Sequence, residues 1–113
     1  MIKRFPGSVA TRSRIVASNG VVYTVATAKK KSPSLYEQAK DALAAIDANL
    51  KEAGSSKAKI LTATVYITNM GQKAEMNRAW DEWVDRANPP QRACIGAVLE
   101  GEDLIEILVT AAV

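Results

Sequence analysis

The chain has 113 residues, 48% hydrophobic and 24% charged, with a net charge of +3. That composition supports one real core and excludes a disordered chain, and the small positive charge gives no case for a nucleic-acid partner. With no histidine and one cysteine, Cys94, an intrachain disulfide, Ser-His-Asp or Cys-His catalysis and most zinc sites are excluded, so acid–base chemistry falls to carboxylates, Lys, Tyr, Cys or bound water.

Ile2 to Phe5 reads as a short edge strand stopped by Pro6-Gly7. Arg14 to Ala17 and Val21 to Ala26 read as a hairpin about Asn19-Gly20, two residues that tolerate positive φ. Lys29 to Pro33 is a loop. Its run Lys29-Lys30-Lys31 is a solvated segment or, on the alternative reading, a positive rim that attracts anionic metabolites. Ser34 to Ala53 is the clearest helix. Ser34 and Glu37 form a capping box, and Leu35, Ala39, Ala42, Leu43, Ile46, Leu50 and Ala53 make one apolar stripe. Gly54 is a natural stop.

Lys59 to Thr68 alternates as a strand, with Leu61, Ala63, Val65 and Ile67 pointing one way and Thr62, Thr64, Tyr66 and Thr68 the other. Asn69 caps a second helix, roughly Gln72 to Asp85, whose stripe is Met76, Ala79, Trp80, Trp83 and Val84. The tryptophans on that stripe read as core and not as a ligand platform. After Asn88-Pro89-Pro90, two strands ending near Leu99 and starting at Leu104 read as a hairpin about Glu100 to Asp103.

The order β-ββ-α-β-α-ββ is an α+β architecture, with about six strands and two helices on one sheet face, forming a single domain over 1–113. Val21, Val22, Val25, Leu104, Ile105, Ile107, Leu108 and Val109 include apolar residues of both parities. Strands apolar on both sides want cover on both sides, and two helices supply only one. A second copy of the chain is the expected cover. No stretch resembles a signal peptide or a membrane span, so a cytoplasmic protein with no membrane partner is expected.

Each of the last two strands carries one charge among apolar residues, Arg92 and Glu106. Charge there is expensive unless paired or used. Arg92 and Cys94 share a face, and Gly96 follows on that face and leaves space above the sheet. Whether Glu106 joins them depends on a register that the loop does not fix. If it does, guanidinium, thiol and carboxylate surround a small cavity. A structural Arg92–Glu106 ion pair is the competing reading. Cys94, with no histidine to activate it, reads as a small hydrophobe before a nucleophile.

At these residues the chain resembles the Rid family, the YjgF/RidA-type reactive intermediate deaminases. The resemblance rests on Pro90-Gln-Arg-Ala-Cys94, Leu104-Ile-Glu-Ile107, Val109-Thr-Ala-Ala112, Ala63 to Thr68, Met76-Asn77 and the segment from Ala42 to Gly54. It implies a chorismate-mutase-like fold and a homotrimer with clefts between subunits. It implies hydrolysis of 2-imino acids, formed from 2-aminoacrylate and related enamines, to 2-keto acids and ammonia, with no metal and no cofactor. It places the carboxylate-binding arginine on Arg92, the cysteine on Cys94, the water-holding glutamate on Glu106 and the cleft asparagine on Asn77. Two positions depart from the family pattern: Arg12 stands where many members have tyrosine, and Ala26-Thr27 stands where many have Gly-Gln. Both alter the cleft around the substrate side chain, and Arg12 offers a second anion contact. A non-catalytic protein that holds small keto acids in the same cleft is the alternative. A ribonuclease finds no histidine and no aromatic platform to work with.

Overall fold

Asn19 and Gly20 have φ of 52° and 77°. Two successive positive values are what a two-residue hairpin turn needs to match strand twist. In the computed structural model, which describes residues 1–113, this turn joins β2 (Ser13–Ser18) to β3 (Val21–Thr27). The edge strand β1 (Ile2–Pro6) pairs antiparallel with β2. β3 runs through Thr27, so Ala26 and Thr27 are strand residues opposite Ile107 and Glu106.

Helix α1 spans Leu35–Glu52, and the Ser34 side chain accepts from the Glu37 amide at its start. At its end Gly54, with φ 82°, donates to Lys51 while Ser55 donates to the Leu50 carbonyl. These two bonds satisfy carbonyls that the helix end would otherwise orphan, and the positive φ is why glycine stands there. α1 buries Leu35, Ala39, Ala42, Leu43, Ile46 and Leu50 against the sheet. Helix α2 is shorter than its pattern suggested, Lys73–Trp83. Asn69 caps a single 3₁₀ turn, Met70–Gln72, and not α2 itself.

The sheet order is β1-β2-β3-β6-β4-β5, with β4 at Ile60–Ile67, β5 at Gln91–Gly96 and β6 at Ile105–Ala112. The expected final hairpin is therefore wrong. β5 lies parallel to β4, and β4 separates it from β6. The reason is the helix. A strand, a crossover helix and a second strand return parallel to the first, so β4, α2 and β5 form one unit. Residues 97–104 then carry the chain across β4 to its far side.

A second correction concerns β4. The pairing with β6 shifts between Ile60 and Thr62. Leu61 is the extra residue of this bulge and is 49% exposed, while Ile60 takes the buried place. The core, 19 buried residues in one cluster, lies between the helices and one sheet face. Ile105, Ile107 and Val109 point into it, so Glu106, Leu108 and Thr110 point the other way. There they join Tyr23 and Val25 of β3 and Tyr66 of β4 on a face no helix covers.

Candidate functional site

β5 places Arg92 beside Ala63 and Cys94 beside Val65, on the helix-covered face. The Arg92 guanidinium donates to Asn77 Oδ1 at 2.9 Å, contacts Met76 Sδ at 3.7 Å and lies 5.3 Å from the Trp80 ring centre. Asn77 and Met76 come from successive positions of α2, so the helix orients the guanidinium through one polar and one apolar contact. None of the salt bridges includes Arg92. It is a half-buried cation with neutral neighbours and donors left over. Such a group is poised for a bidentate contact with a carboxylate. Cys94 is half-buried against the core. The space expected above Gly96 is filled: a Cβ there would lie 2.9 Å from the Met70 side chain, which the 3₁₀ turn leans over it.

Glu106 sits on the opposite face, between Thr27 of β3 and Tyr66 of β4. It is half-buried and forms no ion pair. Arg92 is level with Ala63, and Glu106 with Tyr66. With two strand spacings across and three residues along, their Cα atoms are roughly 14 Å apart. The structural ion pair does not form, and one protomer does not bring the two charges to one cavity.

The start of β6 is held from α1. Gln38, fully buried, donates from Nε2 to the Ser32 and Glu102 carbonyls at 2.7 and 3.0 Å, and its Oε1 accepts from the Leu104 amide at 2.9 Å. A salt bridge from Lys31 to Asp103 ties the same two loops. Glu106 follows Leu104 by two residues, so its backbone is anchored by a helix residue that no sequence pattern marked as functional.

Arg12, Ala26 and Thr27 come together elsewhere, at a cavity of about 510 Å³ between the β2–β3 end of the sheet and α1. Arg14 forms one wall. It donates to Asn49 Oδ1 at 2.7 Å and to both Glu52 oxygens at 2.9 and 3.3 Å. Asn49 in turn donates to Thr24 Oγ1 at 3.0 Å. The hydrogen bonds from Arg14 hold the Glu52 carboxyl below its usual value. Arg14, Asn49 and Glu52 were not expected here; Lys29 belongs to the run read as a solvated segment or a positive rim. Asn49, like Gln38, is a polar residue at a buried position of a helix face that is apolar elsewhere, and that was the available signal.

The expected site residues therefore divide into three places. Arg92, Asn77 and Cys94 lie on the helix side near the β5 edge. Glu106 lies on the open face. Arg12, Ala26 and Thr27 lie at the cavity, with Thr27 bridging to Glu106 as its cross-strand partner.

A six-stranded mixed sheet with two helices on one face, and at one edge a half-buried guanidinium that enters no ion pair, define a small α+β protein. The sequence profile described as endoribonuclease L-PSP matches residues 2–113. A RutC family protein of Haemophilus ducreyi is 41% identical, over 89% of this chain and 88% of its own length. The RutC family protein YoaB of Escherichia coli is 34% identical, over 89% of this chain and 90% of its own length. The crystal structure of NMB1025, a YjgF family member from Neisseria meningitidis, superposes with a TM-score of 0.94 at 38% identity, covering 99% of this chain and 94% of that one. The chain belongs to the YjgF/RutC, or Rid, family.

Proposed function

We propose that this protein hydrolyses reactive 2-imino acids of the 2-aminoacrylate type to 2-keto acids and ammonia, in clefts between the protomers of a homotrimer. The observation that carries the reading is Arg92, a cation held by Asn77 and Met76 with no carboxylate of its own chain. It supplies what a 2-imino acid offers first, a fixed carboxylate contact, worth about 1.5–3 kcal/mol as a charge-assisted pair. Glu106 supplies the second requirement. It takes a proton from water as the oxygen adds to C2 and returns that proton to the imine nitrogen, giving the neutral carbinolamine. It then takes the carbinolamine's hydroxyl proton and passes it to the amine, so that ammonia leaves as the C2–O bond becomes a carbonyl. General-base help of this kind contributes about 10²–10⁴-fold, enough for imines, which already hydrolyse in water.

Because Arg92 and Glu106 occupy opposite faces, the cleft takes Arg92 from one protomer and Glu106 from its neighbour. The exposed apolar residues of the open face support the association: Tyr23 is 50% and Leu108 40% exposed, in the middle of a sheet. The Cys94 and Asn77 side chains line the arginine side of this cleft and Thr27, the cross-strand partner of Glu106, the glutamate side, while Arg12 and Ala26 lie at the protomer's own cavity against α1. Neither a metal nor an organic cofactor takes part in these steps.

The reading is tested by generating imines in situ from several amino acids with an amino-acid oxidase and trapping the remainder with semicarbazide. The protein should deplete the trapped product. Glu106→Gln should slow depletion while keto-acid binding persists. Binding of keto acids with no depletion of any imine would instead make this a carboxylate-binding protein.

A further inference from the structure

Tyr66 and Glu106 are direct partners across β4 and β6. Their chain neighbours are buried, Val65 and Ile67 on one strand and Ile105 and Ile107 on the other. Alternation therefore turns both side chains to the open face, where each is half-buried. Neither the phenol hydroxyl nor the carboxylate forms a hydrogen bond or ion pair within the protomer. No side-chain polar atom is buried without a partner, so both polar ends are open to solvent. Thr27 flanks the carboxylate on its other side, but a threonine hydroxyl stays level with the strands. The Tyr66 ring carries its hydroxyl out above the carboxylate.

Directly opposed residues have Cβ atoms about 4.5–5.5 Å apart, and strand side chains stand roughly perpendicular to the sheet. The phenol oxygen then lies roughly 3 Å further out than the carboxylate, and the two groups are on the order of 5–6 Å apart. That is too far for a direct hydrogen bond and matches two O–H···O contacts of about 2.8 Å in series. We propose that Tyr66 is a catalytic residue that fixes the attacking water jointly with Glu106. The inference rests on the deaminase reading for the reaction. The water donates one hydrogen to the Glu106 carboxylate and the other to the Tyr66 oxygen. Held by the carboxylate alone, it would still rotate about that one bond. Held at both ends, it keeps a lone pair pointing out of the sheet, toward C2 of an imine whose carboxylate sits on the neighbouring protomer's arginine. Such orientation of the nucleophile is what lowers the barrier. As the oxygen adds, Glu106 takes its proton, and the second hydrogen stays on the oxygen as the carbinolamine hydroxyl. No proton moves to or from Tyr66, so Glu106 remains the only base.

Two measurements test this together. Tyr66→Phe keeps the ring and removes only the hydroxyl, so the fold and the packing of the open face are retained. Imine clearance should then give a kcat about 2- to 10-fold below wild type, the worth of one neutral hydrogen bond. KM, and the affinity for 2-oxobutanoate measured by calorimetry, should not change. A high-resolution crystal structure of the wild type, grown without keto acid, should show one water bridging the Tyr66 oxygen and a Glu106 oxygen. That water should be lost or displaced in Tyr66→Phe. A Tyr66→Phe protein with wild-type kcat overturns the proposal and leaves the deaminase reading intact. A loss of 2-oxobutanoate affinity as large as the loss of kcat also overturns it, because the hydroxyl would then be a substrate contact. Absence of the bridging water from the wild type overturns it whatever the kinetics. A wild type that consumes no imine yet holds the water, with Tyr66→Phe losing it, keeps the pair as a water site and removes the deaminase reading.

Discussion

Mixing two inactive variants should restore activity. Arg92→Ala removes the anion contact and Glu106→Gln removes the base, so each alone should fall well below wild type, by about 10- to 100-fold for the first and about 10²- to 10⁴-fold for the second. The two side chains lie on opposite sheet faces, with β4 between their strands. A working cleft then draws them from different protomers. When equal amounts are unfolded and refolded together, a cleft is intact only if its arginine side comes from the Glu106→Gln chain and its glutamate side from the Arg92→Ala chain. Random assembly of a ring makes that roughly one cleft in four, so the mixture should regain about a quarter of wild-type turnover. The reciprocal experiment sharpens this. Wild type mixed equally with the Arg92→Ala/Glu106→Gln double variant should also give about a quarter, because both neighbours must be wild type; sites contained in one chain would give about a half. The assay is imine clearance with semicarbazide trapping, with protomer exchange verified by native mass spectrometry. A verified mixture of the single variants that stays at the mean of its parents would refute the two-protomer cleft.

Three further outcomes are expected. Ile60→Ala should cost about 2–4 kcal/mol in urea unfolding and Leu61→Ala well under half of that, since the bulge buries Ile60 and exposes Leu61; equal costs would place the bulge elsewhere. Gln38→Leu should cost about 2–3 kcal/mol by leaving the Leu104 amide and two carbonyls without their partner, with faster hydrogen exchange at Leu104 as the local sign. Glu52 has a folded value below its ordinary 4.5, chiefly through hydrogen bonds from Arg14. Its contribution is therefore complete above the unfolded value and lost as the pH falls through the folded one. Wild type should be the more stable protein at neutral pH, and its advantage over Glu52→Gln should shrink steadily on acidification below about pH 4.5; a gap that widens on acidification would contradict the sign.

What the sequence made legible was mostly local. The Asn19-Gly20 turn, the Ser34 cap and the Gly54 stop each depend on a few neighbouring residues whose backbone preferences point one way. The association of Arg92 with Asn77 was also reachable, because it rests on a resemblance carried by both residues. The failures are choices between distant partners. Both β4 and β6 are apolar enough to sit beside β5, and only the crossover through α2 decides for β4. Alternation along Lys59 to Thr68 gave no sign of an extra residue at Leu61, since a bulge is set by the partner strand. Gly96 read as open space because nothing near it in the chain announces that Met70, from before α2, leans over it. The division of Arg92 from Glu106 is the same failure seen at the site: which face each occupies follows from the strand order.

β6 is the last strand in chain order and yet a central one, hydrogen-bonded to β3 on one side and β4 on the other. Until it is in place, the β1–β2–β3 meander and the β4–α2–β5 unit share no strand pairing. A ribosome emitting this chain would therefore expose two half-sheets with open edges, and the sheet would close only once β6 has emerged. Closure of that kind is non-local and slow relative to the helices. The same insertion puts Glu106 between Thr27 and Tyr66, so the residue proposed to hold the water reaches its surroundings only in the closing step of folding.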